Sequence, residues 1–409
     1  MPVKVVSEIG SLHAVLVHTP GAELLGVTPG TREDFLYDDI IDLESARKEH
    51  KHFVAVLERF CKVHHVRDAL AHVLGMADVR EQLVGRTLDV VPSDALAQRL
   101  AKLPVKELVE VLIAGAVDQP GPIAAALNEQ DYMLPPLPNL MFTRDVGFVV
   151  GGHAVIGSMR YDVRWTEELI LSALFRSHPE FQNAGILYDG SEERRVNFNL
   201  EGGDVHPIRR DCVVLGFSER SSPAALDLLT DLLFQNCGVS DVIVVVMPKE
   251  PTAIHLDMIF TQVDREMCVV SPPHLVGPAR LAILHRRKGQ DAVREMPNLF
   301  AALAAVGMPL EPIFCGGTDR ADQEREQWGS ACNFFSVRPG IVIGYDRHEN
   351  TLREMEKAGF RMINARKFLT GEETVGDADR AVITLKGSEL VRGGGGPRCM
   401  TLPLQRDEP

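Results

Sequence analysis

The sequence has no Cys-x-x-Cys pair, no excess of positive charge and no apolar run approaching the roughly 18 residues that cross a membrane. Its cysteines (Cys61, Cys212, Cys237, Cys268, Cys315, Cys332 and Cys399) are odd in number and scattered. That pattern argues against a disulfide framework and a zinc cage, and suits a reducing, cytoplasmic compartment. Lys and Arg number 43 against 57 Asp and Glu, and the resulting net charge of −14 repels a phosphate backbone. Nucleic acid is therefore a poor partner, whereas a small cation is compatible. The opening MPVKVVSEIG lacks a basic stretch followed by an apolar one, so no signal peptide is expected. HExxH, an EF-hand loop and a convincing GxGxxG are absent, which leaves no expected metal or organic cofactor.

What is present is an ordinary globular composition, 45% hydrophobic and 24% charged over 409 residues, long enough for two or three domains and a large core. HAVLVH, residues 13–18, reads as a short strand ending at Thr19-Pro20-Gly21. Leu43, Ala46, Phe53, Val56, Leu57 and Phe60 then recur at helical spacing. From Val66 to Glu129 short Leu/Ala-rich segments, with helix starts at Pro92-Ser93-Asp94 and Pro104, form an all-helical block. The stretch Leu134-Pro135-Pro136-Leu137-Pro138 closes it.

Beyond that point one pattern recurs: a polar signature, a strand, a tight turn, a second strand and a helix. It starts at Asp145 (DVGFVVGGHAVIGSM), Asp204 (DVHPIRRDCVVLGFSER), Asp257 (DMIFTQVDREMCVVSPP) and Asn333 (NFFSVRPGIVIGYDR). Cys399 opens a fifth strand, CMTLPL, whose missing partner could be HAVLVH. The units would then form a ring with the polar signatures converging at its axis. An ordinary layered α/β fold with scattered turn residues is the alternative.

Four groups of residues could carry chemistry. Cys399 follows four glycines, Pro397 and Arg398; the arginine and nearby N–H groups are expected to lower the thiol pKa. An inert buried cysteine behind a linker is the plainer possibility. In His255-Leu256-Asp257, read as extended, the two polar side chains point the same way and could act as an acid–base pair; a core histidine is the alternative. Glu201-Gly202-Gly203-Asp204 reads as a turn presenting carboxylates inward, or else as a surface turn. PNLMFTRD brings Asn139, Phe142, Arg144 and Asp145 together, although neighbouring Arg and Asp commonly form only a surface ion pair. His285-Arg286-Arg287-Lys288 reads as a solvated helix end.

In this order, PNLMFTRD, EGGDV, GFSER, HLDMIF and a glycine-rich loop ending in RCM resemble the arginine deiminases, guanidino-group-modifying enzymes, over essentially the whole chain. The resemblance implies an α/β fold: a five-bladed pseudo-symmetric propeller (pentein) built from 1–65 and 135–409, with 66–134 as a helical insertion. It implies hydrolysis of L-arginine to L-citrulline and ammonia without metal or cofactor, by a chain that assembles as a dimer or tetramer. By the same resemblance Cys399 is the nucleophile, His255 the general acid and base, and Glu201 the carboxylate that orients it. Asp145 and Asp257 would grip the guanidinium, Asn139 and Phe142 would surround the substrate, and Arg164 and Arg220 would hold its α-carboxylate. Leu36 and Gly393 would line the closed site. Some family members carry an arginine where this chain has Gly394. An amidinotransferase, an arginine dihydrolase and a non-catalytic arginine-binding protein are the alternative functions.

Overall fold

The computed structural model describes residues 2–119, 121–127, 132–192, 195, 197–376 and 378–409. One arrangement recurs through it: an antiparallel hairpin whose second strand lies parallel to a third. The hairpin Gly147–Val150 and His153–Ile156 is joined by Gly185–Asp189. Val205–Arg209 and Cys212–Phe217 are joined by Asp241–Val246. The pair Phe260–Asp264 and Met267–Val270 takes Glu311–Phe314, and Phe335–Arg338 with Ile341–Tyr345 takes Ala381–Leu385. A parallel neighbour needs a crossover, and the helices Trp165–Ser177, Pro223–Asn236, Leu299–Ala305 and Glu349–Lys357 lie within these connections.

A fifth such sheet joins distant parts of the chain. Leu402–Arg406 pairs antiparallel with Leu12–Val17, Leu16 opposite Leu402, and Lys62–His65 lies parallel to Leu12–Val17 after the helix Leu43–Leu57. This is the pairing expected from the two orphan strands, except that Cys399 sits in the turn ahead of its strand. These strands are rich in Val, Ile and Leu because most are covered on both faces, so they read as continuous apolar runs.

The segment after Lys62–His65 contains the helices Val66–Leu74, Ala77–Val90, Asp94–Lys102, Val105–Ala114 and Pro122–Leu127. Ser93 accepts a hydrogen bond from the Leu96 N–H, and Pro104 precedes the first residue of its helix, as the sequence signals require. The block is not purely helical: Ala116–Val117 pairs with Tyr132–Leu134. Its expected end at Glu129 lies outside the described residues. Leu70, Leu83, Leu100 and Leu108 bury their side chains in one core with Leu174 and Phe175, so the block and the adjoining sheet share an interior.

Two local expectations are corrected. His285, Arg286 and Arg287 belong to the strand Ile283–Arg287, which extends the second sheet beside Asp241–Val246, rather than to a helix end. His255-Leu256-Asp257 is not a strand: His255 is extended, and Leu256–Met258 forms a single 3-10 turn. Among the described residues, no helix is long and apolar enough to cross a membrane.

Candidate active site

The polar residues cluster because each precedes the first strand of a hairpin. Asp145 lies in the short helix Thr143–Val146, Glu201 caps the turn Gly202–Asp204, and His255 caps Leu256–Met258. Asn333 and Cys399 precede Phe335–Arg338 and Leu402–Arg406. All five are nearly fully buried. Asp145, His255 and Cys399 line one cleft of about 1090 Å³, together with Asn139, Phe142, Arg164, Arg220, Leu36 and Gly393.

At its floor, the His255 Nε2 donates to Glu201 Oε2 at 2.9 Å, and its Nδ1 lies 3.7 Å from Asp145 Oδ1. The imidazole can be this close to the turn Gly202–Asp204 because residue 203 is glycine. A Cβ there would lie 2.5 Å from His255 Cγ. Asp204 keeps the histidine's turn in place by accepting from the Leu256 N–H at 3.0 Å and from Ser218 Oγ at 2.6 Å. Burial opposes the imidazolium, but Asp145, the hydrogen bond to Glu201, and Asp204 outweigh it and raise the His255 pKa to about 9. Burial likewise opposes the Glu201 carboxylate; Arg220, His255 and Arg164 overcome it and hold its pKa at about 2.

Cys399 Sγ lies 3.7 Å from Asp257 Oδ2 and 3.1 Å from Asn333 Nδ2. The expectation of a lowered thiol pKa is corrected, although Arg398 and a backbone N–H do act in the expected direction. Burial and the carboxylates of Asp257 and Asp145 push the thiol well above its ordinary pKa, against smaller opposing effects from the Gly396 N–H and Arg398. Arg398 is committed elsewhere: it donates to both carboxylate oxygens of Glu8 at 3.1 Å, to Asp257 Oδ2 at 2.9 Å and to the Val205 carbonyl at 2.8 Å.

Asp145 and Asp257 share one pattern. An arginine occupies Oδ2 of each, Arg164 at 2.7 Å and Arg398 at 2.9 Å, while Oδ1 of each is buried without a hydrogen-bond partner. Two unpaired, buried carboxylate oxygens are costly unless a donor meets them. Arg164 is fully engaged, giving its remaining donors to Glu167 and to the carbonyls of Asn139 and Phe142. Arg220 is freer: it contacts Glu201 at 3.4 Å, lies over the Tyr161 ring at 4.8 Å, and has an unpartnered Nε. Asn139 donates to the Phe35 carbonyl at 2.8 Å, next to Leu36, whose φ of 65° is unusual for a branched residue.

Asp145, Glu201 and His255 each offer one ligand atom within 4.8 Å of the others, close enough for a metal ion. The donor set fits one poorly, because the imidazole keeps its proton to about pH 9.

Sequence reasoning placed the thiol, the histidine and the acids but gave no role to Glu8, Glu167 or Asn333. Glu8 followed no periodicity and belonged to no motif, and Asn333 was visible only as the start of the fourth unit.

Comparison with known proteins converges on one family. A family model described as arginine deiminase matches residues 33–406. The chain is 31% identical over 432 residues to the arginine deiminase of Streptococcus gordonii, covering 100% of this chain and 99% of the relative. It is 32% identical over 425 residues to that of Rhodococcus erythropolis, covering 100% and 98%. Among solved structures, the N-terminal domain of ArgZ, a cyanobacterial arginine dihydrolase, superposes with a TM-score of 0.53 at 14% identity, covering 97% of this chain and 98% of that one. At that identity the likeness concerns the fold.

Proposed function

The chain belongs to the arginine deiminase family, and from that membership and the geometry of its cleft we propose that it hydrolyses free L-arginine to L-citrulline and ammonia through a covalent intermediate on Cys399. The observation that carries this reading is that Asp145 and Asp257 each keep one buried Oδ1 without a hydrogen-bond partner, while Asp257 holds its other oxygen, Oδ2, 3.7 Å from the Cys399 sulfur. A guanidinium is planar, permanently charged and rich in N–H donors, so it satisfies both oxygens at once and presents its carbon to the sulfur.

The electrostatics give an order of events. In the free protein burial and the carboxylates of Asp257 and Asp145 keep the thiol protonated, while Asp145, Glu201 and Asp204 keep the imidazole charged. A bound guanidinium neutralises those carboxylates, so the thiol loses its proton to solvent more readily once substrate is in place. The thiolate attacks the guanidinium carbon. Collapse of the tetrahedral adduct breaks a terminal C–N bond, with the His255 imidazolium protonating the departing nitrogen, which leaves as ammonia. The now neutral His255 takes a proton from water, and the hydroxide attacks the amidino thioether. Cleavage of the C–S bond, with the hydroxyl proton of the adduct passing to solvent, returns the thiolate and frees citrulline. Glu201 orients the imidazole throughout.

At the other end of the substrate, Arg220 has an unpaired Nε for the α-carboxylate, whereas Arg164 can contribute only by giving up a present partner. Asn139 and Phe142 form the wall around the substrate chain, and Leu36 and Gly393 its mouth. The five recurrent sheets support a five-bladed propeller with 66–134 inserted. Free thiols throughout suit a cytoplasmic location, and a homo-oligomer is the expected assembly.

Purified protein incubated with arginine should release one ammonia per citrulline. Two ammonia per arginine would identify a dihydrolase, and a product formed only with an amine acceptor an amidinotransferase. Cys399→Ser and His255→Ala should each lower kcat by about three orders of magnitude or more. Acid-quenched wild-type protein should carry an amidino adduct on Cys399 by mass spectrometry; arginine bound with no turnover and no adduct would leave only a binding protein.

A further inference from the structure

We propose that Asn333 is a catalytic residue: its side-chain NH2 donates a hydrogen bond to the Cys399 sulfur as the thiolate develops, while its carbonyl oxygen fixes the loop that carries that cysteine. The proposal rests on the reading of Cys399 as the nucleophile.

The orientation of the amide is set by its surroundings. One end of Asn333 faces two backbone donors, the N–H of Arg398 at 2.9 Å and that of Cys399 at 3.2 Å, and only an oxygen can accept from both. The other end must therefore be the NH2 group, and it meets Cys399 Sγ at 3.1 Å and the Asp257 carbonyl at 3.2 Å. Asn333 is 1% exposed, so water does not compete for these bonds. The loop is shaped to the amide as well. A Cβ on Gly396 would lie 2.6 Å from both Asn333 Cβ and Oδ1, which explains a glycine just ahead of Pro397.

The chemistry needs such a donor. The charged and titratable groups facing the thiol are Asp257, Asp145, Arg398 and Tyr345. Both carboxylates oppose a sulfur anion, and Arg398 is tied to Glu8 and Asp257. Asn333 supplies a neutral donor in direct contact with the sulfur. It stabilises the thiolate both before attack and when the C–S bond breaks at the end of the cycle, without adding a charge that would repel a guanidinium. No bond to Asn333 forms or breaks.

Asn333→Asp separates donation from loop anchoring, because the carboxylate still accepts from both N–H groups but presents an oxygen to the sulfur. Asn333→Ala removes both contacts. The measurement is the pH dependence of Cys399 alkylation by iodoacetamide, followed by mass spectrometry of the Cys399 peptide. Both variants should alkylate about tenfold or more slowly at a fixed pH below the midpoint, with the midpoint raised by about one unit or more. With arginine as substrate, kcat of Asn333→Asp should fall roughly a hundredfold while KM changes less than about threefold. Alkylation profiles that superimpose on that of the unaltered protein for either folded variant would overturn the proposal. The profile is read without arginine, so it stands apart from any failure of the arginine-hydrolysing activity.

Discussion

His255 carries a proton at neutral pH although it is buried, because carboxylates contact both of its nitrogens. On the proposed role of His255 as the general acid, the alkaline limb of kcat should follow the imidazolium pKa of about 9. In Glu201→Gln one of the carboxylates favouring the charged form is gone while the hydrogen-bonding shape remains, with Asp145 and Asp204 still in place. The alkaline limb should move down by about one pH unit or more, measured as kcat against pH; an unmoved limb would mean that Asp145 and Asp204 alone set the histidine. The meeting of Cys399 and His255 in one cleft was legible in the sequence, because each lies in a polar signature that opens a repeated unit. The Asn333 contact was not legible, since an asparagine before a strand reads as an ordinary turn residue. Nor was the Glu8–Arg398 pair, whose members lie 390 positions apart in sequence. The pKa of Cys399 was misread for a related reason: the charge beside it in sequence, Arg398, is partnered in space by Glu8 and Asp257.

Elements act here mainly as holders of the turns that precede them. The strand Leu402–Arg406 begins three residues beyond Cys399, and its inward side chains Leu402 and Leu404 are 0% and 1% exposed. Leu404→Ala should therefore cost about 3 kcal/mol of stability, read as a lowered urea midpoint, and should reduce kcat further as the anchor of Cys399 loosens. A loss below about 1 kcal/mol would show that the sheet closes over the gap without it. Strands were the most legible elements, since VVLGF and IVIGY are short apolar runs between turns. The HLD segment was misread because a single 3-10 turn leaves no periodicity to detect. His285 to Arg287 was misread because a strand whose side chains stay partly exposed can carry as many charges as a helix end, even when it is paired on both sides, here by Asp241–Val246 and Arg294–Met296.

At the scale of the molecule, acid should weaken the fold well before it reaches ordinary carboxylates. Burial lowers His50 to about 3 and His64 and His348 to about 4, and brings His206 well below its usual value. An unfolded histidine titrates near about 6.5, so below that pH the unfolded chain takes up protons that the folded one refuses. Asp204, Glu167 and His255 act in the opposite sense: burial raises the two carboxyls to about 6 and about 7, and the carboxylates around His255 raise it to about 9, so the folded state binds their protons first. The four depressed histidines outnumber these three groups, and the thermal midpoint should fall between pH 7 and pH 5. A midpoint that rises over that interval would refute this balance.

The five sheets and the way they join were largely readable as a repeated pattern. The core shared between the helical block and its neighbouring sheet was not, because leucines at helical spacing show which face is buried and not what covers it. The strand after Cys399 pairs with residues near the opposite end of the sequence, Leu402 with Leu16 and Arg406 with Leu12. One short strand thus has two duties, for it follows the turn that carries Cys399 and it also gives Leu12–Val17 its antiparallel neighbour.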